Sequence, residues 1–123
     1  MALKILMIDD DPSTTVLTSL LLESYGMEVT VAHTGISGIQ KVRDAAPAPD
    51  LVLLDMMMPE MDGFEVCKAI RTFSNLPILA YSAVSDPEYV ARARAAGVND
   101  YIQKPTPVEI MVARIKRLTS PGI

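Results

Sequence analysis

Three acids and an amine, Asp9, Asp10, Asp55 and Lys104, stand at widely separated points of a 123-residue chain. Asp55 follows Leu51 to Leu54, an unbroken apolar run of the kind that forms a strand buried on both faces. Pro59 and Gly63 break the chain soon afterwards, so the carboxylate stands where a strand gives way to a loop. Asp9, Asp10 and Asp11 end a similar run, Leu3 to Ile8, and Lys104 ends the segment Asn99 to Gln103. Carboxylates held in one pocket repel, and each raises the other's pKa unless a cation is near. Hard oxygen ligands of this kind suit Mg2+, which keeps several waters and accepts phosphate oxygens. Each residue also has a plainer use. Strand-end aspartates cap helices and form turns, Asp11-Pro12 has the form of a helix start, and most lysines are simply solvated. The two readings part on whether the fold brings the four residues together.

The elements follow from periodicity and punctuation. Leu3 to Ile8, Glu28 to Ala32, Leu51 to Leu54, Leu76 to Tyr81 and Asn99 to Gln103 read as strands, with Pro77 tolerable near the start of the fourth. Helices are expected from Pro12 to about Tyr25, with Val16, Leu17, Leu20 and Leu21 at helical spacing, and from Gly35 to Ala46, with Ile36, Ile39 and Val42 on one face. Further helices are expected from about Asp62 to Thr72, burying Val66, Cys67 and Ile70, and from Asp86-Pro87 to Gly97. A last one has Val108, Met111, Ile115 and Leu118 inward. Strict alternation of five strands with five helices means a parallel sheet covered on both faces. Its strands then end on one edge, where ligands bind in such folds. Asp9, Asp10, Asp11, Asp55, Ser82 and Lys104 all fall on that edge.

Composition narrows the function classes. Half the residues are apolar and 21% charged, as in a folded globular domain. The net charge of −4 argues against direct nucleic-acid binding, which depends on neutralising phosphates. One cysteine, Cys67, and one histidine, His33, make a zinc site and an internal disulfide implausible. The apolar N-terminus runs straight into three aspartates, unlike a signal peptide, and no stretch reaches the ~20 apolar residues of a membrane span. A cytoplasmic protein with no membrane contact is expected. The chain reads as one domain over 1–123, with a core of about 3–118 and a tail of 119–123 that is either a natural end or a cut before another domain.

Taken together, the residues resemble the response-regulator receiver domain of two-component signalling, the CheY-like family. The likeness rests on Asp9-Asp10, on Asp55 followed by Met58-Pro59 and Asp62-Gly63, on Ser82-Ala83, on Tyr101 and on Lys104-Pro105, in that order and over nearly the whole chain. It implies a flavodoxin-like α/β fold, a doubly wound parallel sheet of order 2-1-3-4-5. It further implies that Asp55 is a phosphoacceptor taking a phosphoryl group from a histidine kinase or phosphotransfer protein. Asp9, Asp10, Asp55 and the backbone carbonyl of Met57 would hold Mg2+, or Mn2+ in its place. Lys104, Ser82 and the Ala83 N–H would meet the phosphoryl oxygens, and Ser82 with Tyr101 would form the switch that remodels a partner-binding face. Such a domain is a signalling module and not an enzyme. The first helix, around Thr15, Val16 and Ser19, with the loop after Lys104, is the expected kinase surface; the downstream partner is open.

The chain departs from the family pattern at two places. Ser82 stands where Thr is commoner, and Thr106-Pro107 follows Lys104-Pro105 where an apolar residue is usual. Apolar Met57 and Val84 flank the site where polar residues orient a hydrolytic water in other members, which predicts a long-lived phosphoryl group. Two other classes compete. A magnesium-dependent phosphohydrolase would carry its nucleophile after the first strand and need a cap. A flavin-binding module would need a Ser/Thr/Gly-rich loop where this chain has acids. A receiver that binds partners without phosphorylation is the third alternative. His33 is expected at the surface, Cys67 in the core, Met56 to Met58 as gap fillers, and Arg92 and Arg94 on a solvated face.

Overall fold

The computed structural model describes residues 2–120. Five parallel strands, β1 (Lys4–Ile8), β2 (Glu28–Ala32), β3 (Leu51–Leu54), β4 (Ile78–Ser82) and β5 (Asp100–Gln103), alternate with five helices. These are α1 (Pro12–Glu23), α2 (Gly35–Asp44), α3 (Gly63–Arg71), α4 (Pro87–Ala96) and α5 (Val108–Thr119). The sheet order is β2-β1-β3-β4-β5, all pairs parallel, which is the flavodoxin-like arrangement. Pro77 lies just ahead of β4, where its missing N–H costs no ladder bond. Thr119 completes α5, and the last three residues of the expected tail lie outside the described residues.

Alternation along the strands divides the core in two. Leu6, Ile8, Val52, Leu54, Ile78 and Ala80 face α2, α3 and α4, where Ile39, Val66, Cys67 and Ala93 meet them. Ile5, Met7, Leu51, Leu53, Leu79 and Tyr81 face α1 and α5, against Leu22, Met111, Val112 and Ile115. Cys67 is buried as expected, its S–H donating to the Ala96 carbonyl at 3.2 Å.

One helix sits in a different phase from the one its apolar residues suggest, and a second loses one residue from its expected inward face. On α1 the buried side chains are Thr15, Thr18 and Leu22, while Val16 and Leu20 are each 61% exposed and Leu17 and Leu21 also face outward. The cap fixes this phase: Asp11 accepts from the Ser13 N–H, and Thr15 Oγ1 donates to the Pro12 carbonyl at 3.0 Å, so its hydroxyl is buried satisfied. On α2, Gly38 lies so close to the sheet that a Cβ there would stand 2.4 Å from Ile8 Cδ1. Ile39 and Val42 face the core as expected, while Ile36 is exposed.

At the edge remote from the strand ends, Arg71 joins several elements. Its guanidinium donates to the carbonyls of Gly97, Ser74 and Leu76 and to Asn99 Oδ1. Asn99 Oδ1 also accepts the Ile78 N–H at 2.8 Å. Gly97, at φ 121°, closes α4 in a conformation that side chains resist, directly over the Arg71 stem.

Candidate functional site

The carboxyl edge of the sheet gathers the acids. β1 delivers Asp9 and Asp10, and neighbouring β3 delivers Asp55, whose N–H is held by the Ile8 carbonyl at 2.9 Å. Carboxylate oxygens of all three lie within 4.8 Å of one another, with Asp9 and Asp55 buried and Asp10 exposed. Asp11 is turned away as the α1 cap, bound by the Ser13 N–H and the Thr14 hydroxyl.

Each buried acid is oriented by the backbone. Asp9 Oδ1 accepts the Asp11 N–H at 2.9 Å, and Asp55 Oδ1 accepts the Met57 N–H at 3.1 Å. The β3–α3 loop is shaped by Gly63, whose N–H returns to the Met56 carbonyl at 3.1 Å. A Cβ on Gly63 would stand 2.5 Å from Met56 Cα, so the first turn of α3 approaches the Asp55 segment as only glycine permits. Asp62 and Glu65 form a capping box that starts α3 at this point.

Lys104 arrives from the end of β5, two strands away from β3. Its N–H is held by the Ser82 carbonyl at 2.8 Å, and its bond to Pro105 is cis. Its ammonium lies 2.8 Å from Asp9 Oδ2 and 3.7 Å from Asp55 Oδ2. Burial pulls the ammonium pKa down, but the hydrogen bond to Asp9 and the charges of Asp55 and Asp9 outweigh it, and the pKa is raised. Burial pushes the Asp55 carboxyl up. The Met57 N–H and Lys104 pull against it while Asp9 and Asp10 add to it, and the group reaches about 6 against its ordinary 3.8.

Three clustered carboxylates therefore face one ammonium, and the pocket is short of positive charge. An oxygen-only donor set of this size fits a hard divalent cation such as Mg2+. Ser82 is fully buried at the end of β4, its Oγ accepting the Val84 N–H at 3.3 Å. Ala83 follows it at the surface. Tyr101 is half-buried and already folded over this loop, its hydroxyl donating to the Val84 carbonyl. Burial raises its pKa. Met57 is 54% exposed at the mouth of the site, in contrast to buried Met56 and Met58.

Some contacts were not legible in the sequence. His33 is exposed, but its Nδ1 lies 3.1 Å from the Asp9 carbonyl, so the end of β2 does touch the site. Arg92 is exposed as expected, but its guanidinium also lies over the Phe64 ring, 4.5 Å from the centroid. Arg94 reaches Asp100, a buried acid that also binds Arg114 at 2.9 Å and Arg117 at 2.7 Å. On α1, Thr15 is buried and Ser19 is half-buried, which leaves Val16 with Leu17, Leu20 and Leu21 as the presented surface. Tyr89 on α4 packs against both Phe64 and Tyr101, a contact that only α-helical phase and the sheet order together would reveal.

The sequence profile of the response regulator receiver domain matches residues 5–116. The chain is 36% identical over 113 residues to the DNA-binding response regulator MtrA of Mycolicibacterium smegmatis, covering 92% of this chain and 49% of that protein. The chain thus spans about half the length of the curated relatives it matches. Among solved structures, the chemotaxis protein CheY4 of Vibrio cholerae superposes with a TM-score of 0.87 at 30% identity, over 96% of this chain and 99% of that one. The BeF3-activated DrrB receiver domain does so with a TM-score of 0.84 at 32% identity, over 96% and 97%. Among the described residues no helix is long and apolar enough to cross a membrane. A profile match over most of the chain, a five-stranded 2-1-3-4-5 sheet and an acidic pocket at its carboxyl edge make this chain a member of the CheY-like response regulator receiver family, a family of signalling domains and not of enzymes.

Proposed function

We propose that this chain receives a phosphoryl group on Asp55 from a phosphohistidine of a sensor kinase or phosphotransfer protein, and that the modified pocket switches a partner-binding face. The observation that carries the reading is the meeting of Asp9, Asp10 and Asp55 within 4.8 Å, with Lys104 Nζ 2.8 Å from Asp9 and 3.7 Å from Asp55. In the transfer, an Asp55 oxygen attacks phosphorus, the phosphorus–nitrogen bond of the donor breaks, and the imidazole leaves with its electron pair. Mg2+ held by Asp9, Asp10, Asp55 and the Met57 carbonyl would neutralise the charge that develops on the phosphoryl oxygens. Lys104 would exchange its carboxylate partners for a phosphoryl oxygen, and Ser82 with the Ala83 N–H would donate to the others. Each charge-assisted contact is worth about 1.5–3 kcal/mol. A near-complete change of population takes ~5.5 kcal/mol, so two or three such contacts suffice.

The docking surface for the donor is the outer face of α1. Val16, Leu17, Leu20 and Leu21 form an exposed aliphatic stripe beside the acidic pocket, and Glu23 is the one charged residue of the helix. An amphipathic helix of a donor bundle would bury that stripe. The cytoplasm is the compartment such donors imply. The net charge of −4 supports a partner other than nucleic acid for this domain itself.

The test is intact mass after incubation with a small phosphodonor, with and without Mg2+, for wild type and Asp55→Asn. A metal-dependent gain of one phosphoryl group that Asp55→Asn abolishes is the expected result. No adduct on a folded protein with Mg2+ present would overturn the reading in favour of phosphorylation-independent binding. Steady phosphate release without an adduct would favour a hydrolase.

A further inference from the structure

Tyr89, in the first turn of α4, has no role in the transfer chemistry, yet it touches the pieces that surround the site. Its ring meets Phe64 edge-on, with centroids 5.0 Å apart, and meets Tyr101 edge-on at 6.4 Å. Its hydroxyl lies 3.5 Å from the Met56 carbonyl, donating to it. That carbonyl already accepts the Gly63 N–H, and it belongs to the residue between Asp55 and Met57. One side chain of α4 therefore contacts the loop that carries the phosphoacceptor, the start of α3 and the aromatic residue of β5.

The rest of α4 buries little apolar surface: its buried residues are Ala93 and Ala96, while Arg92 lies over the Phe64 ring and Arg94 reaches Asp100. Apolar contact scales with area removed from water, so the half-buried Tyr89 ring outweighs either alanine. A helix seated this way follows its largest side chain. Ser82 and Tyr101 act on the same helix from the other direction, through Val84, whose N–H binds Ser82 and whose carbonyl binds Tyr101.

We propose that Tyr89 is a second positioning residue of the switch, through which α4 follows the Asp55–Met57 loop by a route that does not pass through Ser82, as well as the Tyr101 ring by one that does. The proposal rests on the phosphoacceptor reading of Asp55. Phosphorylation rearranges the β3–α3 loop around the new oxygens, the Met56 carbonyl moves with it, and Tyr89 carries that movement to α4. If Tyr101 leaves the Val84 carbonyl, Tyr89 loses its edge-on neighbour and the helix must repack. The two routes then report the same event to one helix.

The experiment uses the 15N-labelled chain with Mg2+ and beryllofluoride, a mimic of the acyl phosphate, and compares amide shifts at Ser82, Ala83 and Lys104 with those along 90–96. Wild type is expected to respond in both groups. Tyr89→Leu is expected to keep the site response and lose half or more of the α4 response, with Tyr89→Phe between the two. A merely structural role would scale both groups of shifts together and leave their ratio unchanged, and that result overturns the proposal. So does an α4 response of wild-type size in Tyr89→Leu. If Tyr89→Leu fails to fold, a wild-type shift ratio in Tyr89→Phe overturns it equally. Silence at Ser82 and Lys104 in wild type would refute the phosphoacceptor reading itself, and this proposal with it.

Discussion

Asp55→Asn should make the protein more stable, although it removes the central residue of the site. Burial and two neighbouring acids hold the Asp55 carboxyl at about 6 in the folded chain, against 3.8 when it is free of them. The folded state therefore binds a proton more tightly than the unfolded state. The favourable contribution is complete below about pH 4 and is lost as pH rises through about 6. The difference between 3.8 and about 6 corresponds to roughly 3 kcal/mol of folding free energy. Asparagine carries no charge to desolvate but also gives up the 3.7 Å attraction to Lys104, and solvent screens part of the rest, so at pH 7 in a chelator the variant should gain about 1–2 kcal/mol over wild type. Asp100 works in the opposite sense: burial raises its pKa, but the Tyr101 N–H, Arg114 and Arg117 lower it further. Its contribution is present above about pH 4 and lost as pH falls below that, so it does not oppose Asp55 between pH 4 and 6. Urea unfolding followed by circular dichroism, at half-unit steps from pH 4 to 7.5, measures the effect. Wild type should weaken across the window while the variant stays nearly level, and millimolar Mg2+ should flatten the wild-type curve. Parallel pH curves for the two proteins in chelator would refute the electrostatic account of the pocket.

Lys104→Met strands the Asp9 carboxylate without its 2.8 Å partner and should cost about 1–3 kcal/mol in urea unfolding at pH 7 in chelator, with Mg2+ restoring part of the loss. Gly63→Ala forces a Cβ to 2.5 Å from Met56 Cα, and a penalty of about 1–3 kcal/mol with slower modification of Asp55 should appear in unfolding and intact-mass measurements. Leu17→Asp with Leu20→Asp alters exposed side chains, so stability should change by no more than about 0.5 kcal/mol. Transfer from a phosphohistidine donor should nevertheless fall at least about tenfold, the equivalent of 1.4 kcal/mol of docking energy, while labelling by a small phosphodonor is unchanged. Phospho-Asp55 should persist for minutes or longer, because Met57 and Val84 offer no polar side chain to orient a water; decay of the adduct mass within seconds would contradict this.

The sheet was legible because a strand buried on both faces leaves an unmistakable apolar run, and Leu51 to Leu54 is such a run. Once five strands alternate with helical segments, the ends of β1, β3, β4 and β5 must share an edge, and Asp9, Asp55, Ser82 and Lys104 fall there by topology alone. Helix phase was harder to read. The aliphatic residues of α1 outnumber what the core can accept, and two threonines take the inward positions that Val16 and Leu20 resemble. Close seating was also hidden, because nothing in the spacing of Gly35 and Gly38 says how near α2 lies to Ile8. Contacts between elements distant in sequence, such as Tyr89 with Met56 or Arg94, Arg114 and Arg117 with Asp100, depend on rotamers that no periodicity encodes.

Arg71 bears on how such a domain can move at all. The edge that carries the acids is held by Lys104 and by loops whose partners a new anion would rearrange. The opposite edge is held by a guanidinium fork on backbone carbonyls and on Asn99, none of which changes charge with phosphorylation, metal or physiological pH. One end of β4, β5 and α4 is thereby pinned while the other is free to respond. A rearrangement around Asp55 is then met, at the far ends of β4, β5 and α4, by contacts that keep their partners. An Arg71→Lys exchange would leave one ammonium where the fork now serves Gly97, Leu76 and Asn99 together, and that end of the sheet would lose its common tie.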